Sequence, residues 1–215
     1  MKAIDLTHTI TQEIPVFPGS EKPQLTTVAS YEKDGYHETL IHMYSHTGTH
    51  IDPPSHIYER ALTLDALPLT QFIGQAIVID CRHLKPGKAI TMKELDNVGE
   101  DVRIADFLLF NTGWDKFWNS EEYLGDYPCI NDDILDFILS GKYKGIGFDV
   151  MGIDPIADVS LHRHKKLLKH KKIINIENLT NLDRCGTELF NFSCFPLKIE
   201  NSDGAPTRAV AWWND

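Results

Sequence analysis

The chain has 215 residues, 42% of them hydrophobic and 24% charged, which fits one compact domain with a real core. Its formal charge of −10 argues against nucleic acid or an anionic membrane as a partner, and no run approaches the ~18 apolar residues of a membrane span. The N-terminus lacks a long apolar stretch and carries Asp5, unlike a signal peptide, and Cys81, Cys129, Cys185 and Cys194 show no CxxC pairing, so four reduced, mostly buried thiols in a cytoplasmic protein are expected.

Residues 3–11 alternate and read as a strand. Residues 14–20 form a Pro/Gly loop that carries Phe17. Strands are expected at 25–31 and 38–45, the second feeding directly into a histidine-rich segment. Residues 64–73 are a short helix candidate interrupted by Pro68. The apolar runs at 76–80 and 107–112 have the pattern of strands buried on both faces, the second ending at Gly113-Trp114. Helices are expected at 91–97, with Thr91 and Glu94 as a capping box, and at 131–139, where Ile134, Leu135, Ile138 and Leu139 lie at helical spacing. A strand at 144–149, a helix at 164–170 and a strand at 173–176 follow. Two strands, 189–200 and 207–213, then flank the turn at Ser202-Asp203-Gly204. No repeat or linker is evident, so residues 1–215 read as a single α/β domain with a mixed β-sheet and flanking helices.

The segment His46-Thr-Gly-Thr-His50-Ile-Asp52-Pro-Pro-Ser-His56 carries most of the chemistry. Three imidazoles and a carboxylate this close together make a ligand set for a divalent transition metal. Gly48, Pro53 and Pro54 argue against a helix, so the spacing of His46 and His50 is not that of the helical metalloprotease motif. An ideal strand would hold His46 and His50 roughly 13 Å apart, too far for two metal bonds of about 2 Å. The chain must bend between them, and Gly48 is placed to supply the bend. Glu177, after an apolar strand, would point into the mouth of the sheet, either as a carboxylate that a metal compensates or as one met by a salt bridge or an N-cap contact. His162 and His164 diverge on a helix, so at most one of them is a ligand. The run from Arg163 to Lys172 reads as a solvated basic helix face.

These motifs resemble the putative cyclase family, whose best-known members are bacterial kynurenine formamidases. The resemblance rests on the eleven-residue segment from His46 to His56, on Asn111-Thr-Gly-Trp114, on His164 with Ile176-Glu177-Asn-Leu, and on a tail that includes Pro196-Leu-Lys-Ile199 and Asp203-Gly-Ala-Pro-Thr-Arg. It implies a β/β/α cyclase-like fold and a homodimer or homotetramer. It implies that His46, His50 and Asp52 hold one metal, that Asp52, His164 and Glu177 hold a second, and that His56 moves the proton. The ions are expected to be Zn2+, or else Mn2+, one or two per subunit. Phe17 sits where formamidases present an aromatic, often Trp, to the substrate ring, and Trp114 or Tyr36 could join it. The stretch between His164 and Glu177 is one residue longer than the family pattern, which keeps His162 as a rival ligand. The implied activity is hydrolysis of an aromatic formamide, N-formylkynurenine, to kynurenine and formate, by hydroxide that the metal makes available at neutral pH. A cyclic amide such as isatin, another amide or ester, or a metal-binding scaffold without turnover are the alternatives.

Overall fold

A computed structural model describes residues 1–169 and 172–214. Twelve strands are present among them: β1 (Lys2–Asp5), β2 (Gln24–Ala29), β3 (Glu38–His42), β4 (His50–Asp52), β5 (Ile73–Asp80), β6 (Ala89–Ile90), β7 (Phe107–Asn111), β8 (Cys129–Ile130), β9 (Gly145–Phe148), β10 (Ile174–Glu177), β11 (Phe190–Pro196) and β12 (Ala205–Trp213). The α-helices are α1 (Tyr31–Asp34), α2 (Met92–Asp96), α3 (Asp101–Ile104), α4 (Asp132–Ser140) and α5 (His162–Leu168).

The main sheet runs β1-β12-β11-β5-β7-β9-β10-β4. It is mixed: β5, β7, β9 and β10 are parallel, whereas β4, β11, β12 and β1 join by antiparallel ladders. Ala205 and Pro206 at the start of β12 also pair with Ile51 and His50 of β4, which closes the sheet into a barrel. Closure removes the free edges that β4 and β12 would otherwise present.

Alternation then separates two cores. Ala76, Val78, Phe107, Leu109, Ile174, Ile176, Ile51 and three alanines of β12 meet in the enclosed interior. Ile77, Ile79, Leu108, Phe110, Ile146 and Phe148 face outward under α4 and α5. The runs at 76–80 and 107–112 are therefore buried on both faces, as their composition implies. The α4 helix begins where Asn131 accepts a hydrogen bond from the Ile134 N–H and buries Ile134, Leu135 and Ile138. The Thr91/Glu94 capping box opens α2.

Several expected elements differ: the strands expected at 25–31, 38–45 and 189–200 stop at Ala29, His42 and Pro196. Residues 64–73 form two 3-10 turns, Leu64–Ala66 and Leu69–Phe72, because Pro68 separates two pieces too short to propagate an α-helix. The first strand stops at Asp5, and only an isolated bridge from Thr7 to Leu179 continues it. The helix expected at 164–170 starts earlier, at His162, and ends at Leu168; His170 lies outside the described residues. All four cysteines are free and buried. Among the described residues, no helix is long and apolar enough to cross a membrane.

Candidate metal centre and catalytic pocket

Two short strands build the floor of the site. In the antiparallel register of β4 and β10, Asn175 lies opposite Asp52 and Glu177 lies opposite His50. Period-two alternation puts these four side chains on one face, while Ile51 and Ile176 between them enter the barrel core. The bend before β4 is at Gly48, whose φ of +63° lies in the left-handed region. Its carbonyl accepts hydrogen bonds from Asn178 Nδ2 at 2.9 Å and from His50 Nδ1 at 2.8 Å. His50 is thereby fixed with its Nε2 toward the carboxylates.

His46 precedes that bend and lies on Gly204, at the mouth of β12. A Cβ on Gly204 would stand 2.5 Å from His46 Cε1, so only glycine fits beneath the ring. His164 reaches in from α5. Its Nδ1 donates to Asp154 Oδ2 at 2.8 Å, and Asp154 is itself fixed by the N–H groups of Arg163 and His164 at 2.8 and 3.0 Å. His162 points away and pairs with Asp132 at 2.9 Å, so of the two histidines only His164 reaches the acidic group. Lys166 of the basic run pairs with Asp132 and Asp136 of α4.

Three overlapping groups have ligand atoms mutually within 4.8 Å: His46, His50 and Asp52; Asp52, His164 and Glu177; and His46, His56 and Asp203. His50 Nε2 is 3.3 Å from Asp52 Oδ1 and 3.5 Å from Glu177 Oε2. His164 Nε2 is 3.2 Å from Glu177 Oε1 and 3.6 Å from Asp52 Oδ2. Ligand atoms on a tetrahedral ion with bonds of about 2.0–2.1 Å stand roughly 3.3 Å apart, so these separations leave room for a shared ion. His46 Nδ1 is closer, 2.7 Å from Asp52 Oδ1, and would have to shift by several tenths of an ångström to share an ion with it. Nitrogen and carboxylate donors suit zinc or manganese. The residues present therefore fit the implied metal.

The electrostatics point the same way. The Asp52 carboxyl is held well below the usual range against its burial, chiefly by the charge of His50 and by hydrogen bonds from His164 and His46. Burial opposes protonation of His46, but hydrogen bonds to Asp203 and Asp52 overcome it and raise its pKa to about 10. His164 is likewise raised well above the usual imidazole range, against burial, by Asp154, Asp52 and Glu177. Protons thus occupy positions that a cation would take. His56 behaves oppositely, since burial lowers its pKa. Its ring lies 4.1 Å from that of His46 and 5.7 Å from that of His164.

A cavity of about 270 Å³ opens above these groups. Phe17, His56, Met151, Asp158 and Leu161 are among its walls. Phe17 thus lines the cavity. Trp114 and Tyr36 do not. Trp114 is buried, donates from Nε1 to the Tyr123 carbonyl at 3.1 Å, and packs edge-on against Phe117 and Tyr127. The turn that carries it is drawn inward by Asp149, whose carboxylate accepts from the N–H groups of Thr112, Gly113 and Trp114. Trp114 supports Tyr127, itself a wall residue, from behind. Tyr36 is 55% exposed, beside β3, and lines no part of the cavity. Sequence reading assigned no role to Asn175 or Asp154 and gave Gly204 only a turn; Asn175, two positions before Glu177 on an expected strand, carried a signal in the alternation.

A family model described as "Putative cyclase" matches residues 4–155. The kynurenine formamidase of Salinibacter ruber (strain DSM 13855 / M31) is 30% identical over 215 residues, covering 98% of this chain and 97% of its own. This chain belongs to the putative cyclase family. Among solved structures, isatin hydrolase A from Labrenzia aggregata is 26% identical with a TM-score of 0.86, covering 98% of this chain and 93% of its own. A predicted metal-dependent hydrolase from Bacillus stearothermophilus is 28% identical with a TM-score of 0.79, covering 98% of this chain and 97% of its own. This cyclase-family protein is thus an amidohydrolase with an α/β mixed-sheet fold and a donor set able to bind metal.

Proposed function

We propose that the protein hydrolyses the formamide of N-formylkynurenine, releasing kynurenine and formate. The observation that carries this reading is the juxtaposition of the two ligand groups, the neutral His56 and the ring-sized cavity with Phe17 on its wall. His46, His50 and Asp52 would hold one divalent ion, and Asp52, His164 and Glu177 a second, with Zn2+ favoured over Mn2+. Ions bound there supply Lewis acidity, polarising the amide carbonyl and making a water acidic enough to attack near neutral pH.

The chain's own groups do the rest. His56 lies outside both of these ligand groups, and a depressed pKa leaves it neutral and able to accept a proton from the attacking water. It returns that proton to the nitrogen as the C–N bond breaks, so the arylamine leaves neutral. Phe17, with Met151 and Leu161, packs on the aromatic ring and excludes water from it. Asp158, fixed by Ser160 N–H at 2.9 Å, offers a carboxylate at the wall to the ammonium group of the amino-acid arm.

Cleavage of a cyclic amide is the second reading, favoured by the likeness to isatin hydrolase A. Initial rates on N-formylkynurenine and isatin separate the two. The formamidase reading predicts a higher kcat/KM on N-formylkynurenine, and the reverse order would replace it. We further propose a homodimer or homotetramer in the cytoplasm. Support comes from the exposed apolar side chains of the β2–β3 hairpin, including Val28, Leu40 and Ile41, and from the four unpaired cysteines, which suit a reducing compartment.

A further inference from the structure

We infer that Asn175 is a positioning residue for the metal centre, acting through both of its carboxylates. It occupies the fourth corner of the patch whose other corners are His50, Asp52 and Glu177. It is fully buried, with 0% exposure. Its Nδ2 donates to Asp52 Oδ2 at 2.9 Å and to Glu177 Oε1 at 2.7 Å, so one amide group spans the two acids. The opposite amide orientation would set an oxygen against two carboxylate oxygens, which excludes it.

The other end of the side chain sharpens the point. Asn175 Oδ1 is buried and has no hydrogen-bond partner among the described residues. A buried carbonyl without a donor is unfavourable, so Asn175 is explained by its N–H groups and not by its oxygen. Those N–H groups do two things. They offset the repulsion between Asp52 and Glu177 before any cation arrives. They also occupy one lone pair on Asp52 Oδ2 and one on Glu177 Oε1, turning the remaining pairs toward His164 Nε2, which stands 3.6 and 3.2 Å from those same atoms. Ile153 N–H reinforces Glu177 Oε1 at 3.0 Å, whereas Asp52 Oδ2 has Asn175 as its only non-histidine donor among the described residues. The clamp therefore bears most on the Asp52–His164–Glu177 group. It rests on the reading that this group binds metal.

The test is calorimetric titration of Zn2+ into chelator-treated wild-type protein and into Asn175→Leu, which keeps the side-chain shape, and Asn175→Ala. Circular dichroism and thermal unfolding monitor the fold. The expected result is a zinc affinity at least about ten-fold weaker in both variants, or loss of one ion from the stoichiometry. Folded variants that bind zinc with wild-type affinity and stoichiometry overturn the inference, even if their Tm is lower, because that is the signature of a merely structural residue. Should neither variant fold, the side-chain amide signals of Asn175 in 15N-labelled wild-type protein decide: they must be protected from exchange and move on zinc addition, and signals indifferent to zinc overturn the inference. Wild-type protein that takes up no zinc overturns the metal reading as well, whereas zinc uptake by wild type with unaffected variants overturns this inference alone.

Discussion

The histidines of the site divide by their protons. His56 is kept neutral by burial, while His46 and His164 are kept charged by acids. The first suits a proton carrier, so His56→Ala should retain metal yet lose on the order of 10²-fold in kcat. Wild-type kcat in that variant, with metal content matched, would refute the role. For the other two, the sign of the pH effect follows from the raised folded pKa. The His46 contribution to stability of the metal-free protein is fully present below pH 6.5 and is lost as pH rises through about 10. Cation binding must expel the same protons, so metal affinity should climb with pH across that window. Titrating zinc in buffers of different ionisation enthalpy at pH 7 should show protons released on binding. Uptake without proton release would contradict the protonation pattern.

Elements place these residues more than loops adjust them. The β4–β10 ladder alone sets His50, Asp52, Asn175 and Glu177 on one face, and α5 supplies His164. Contact at the start of β12 is equally restrictive, because Gly204 lies under His46. Gly204→Ala should push that ring away from Asp52, weakening metal binding about ten-fold or more, as loss of ligand orientation does. A crystal structure of the variant with His46 unmoved would overturn this account of the glycine. Much of this was legible in the sequence. The density of imidazoles from His46 to His56 pointed to a donor set able to bind metal, and the distance arithmetic called for a bend at Gly48, where φ is positive. Doubly apolar runs marked β5 and β7. What could not be read were relations between distant segments. Asp154 meets His164 only because α5 turns back over the loop before it. Trp114 turned inward because Asp149 gathers the amides of its turn. Local pattern favoured a helix at 64–73, but the pieces on either side of Pro68 are too short to nucleate one.

At the scale of the molecule, barrel closure ties the site together: β12 reaches from β1 and β11 to β4, so the metal-bearing strand is held by the C-terminal segment as well as by β10. The β2–β3 hairpin stands apart, with every residue of β3 exposed. If that arm meets a second copy, the double variant Leu40→Glu/Ile41→Glu should sediment as a monomer while remaining folded. Unchanged mass would place the subunit contact elsewhere. The central claim is that the gathered imidazoles and carboxylates hold a metal that this amidohydrolase needs to cleave an aromatic formamide. It is tested most directly by measuring kynurenine release from N-formylkynurenine against metal content in the same samples, from chelated to fully reconstituted protein. The account predicts no release without metal and a rate that rises in proportion to occupancy. Undiminished release from metal-free protein, or none from fully loaded protein, would contradict it.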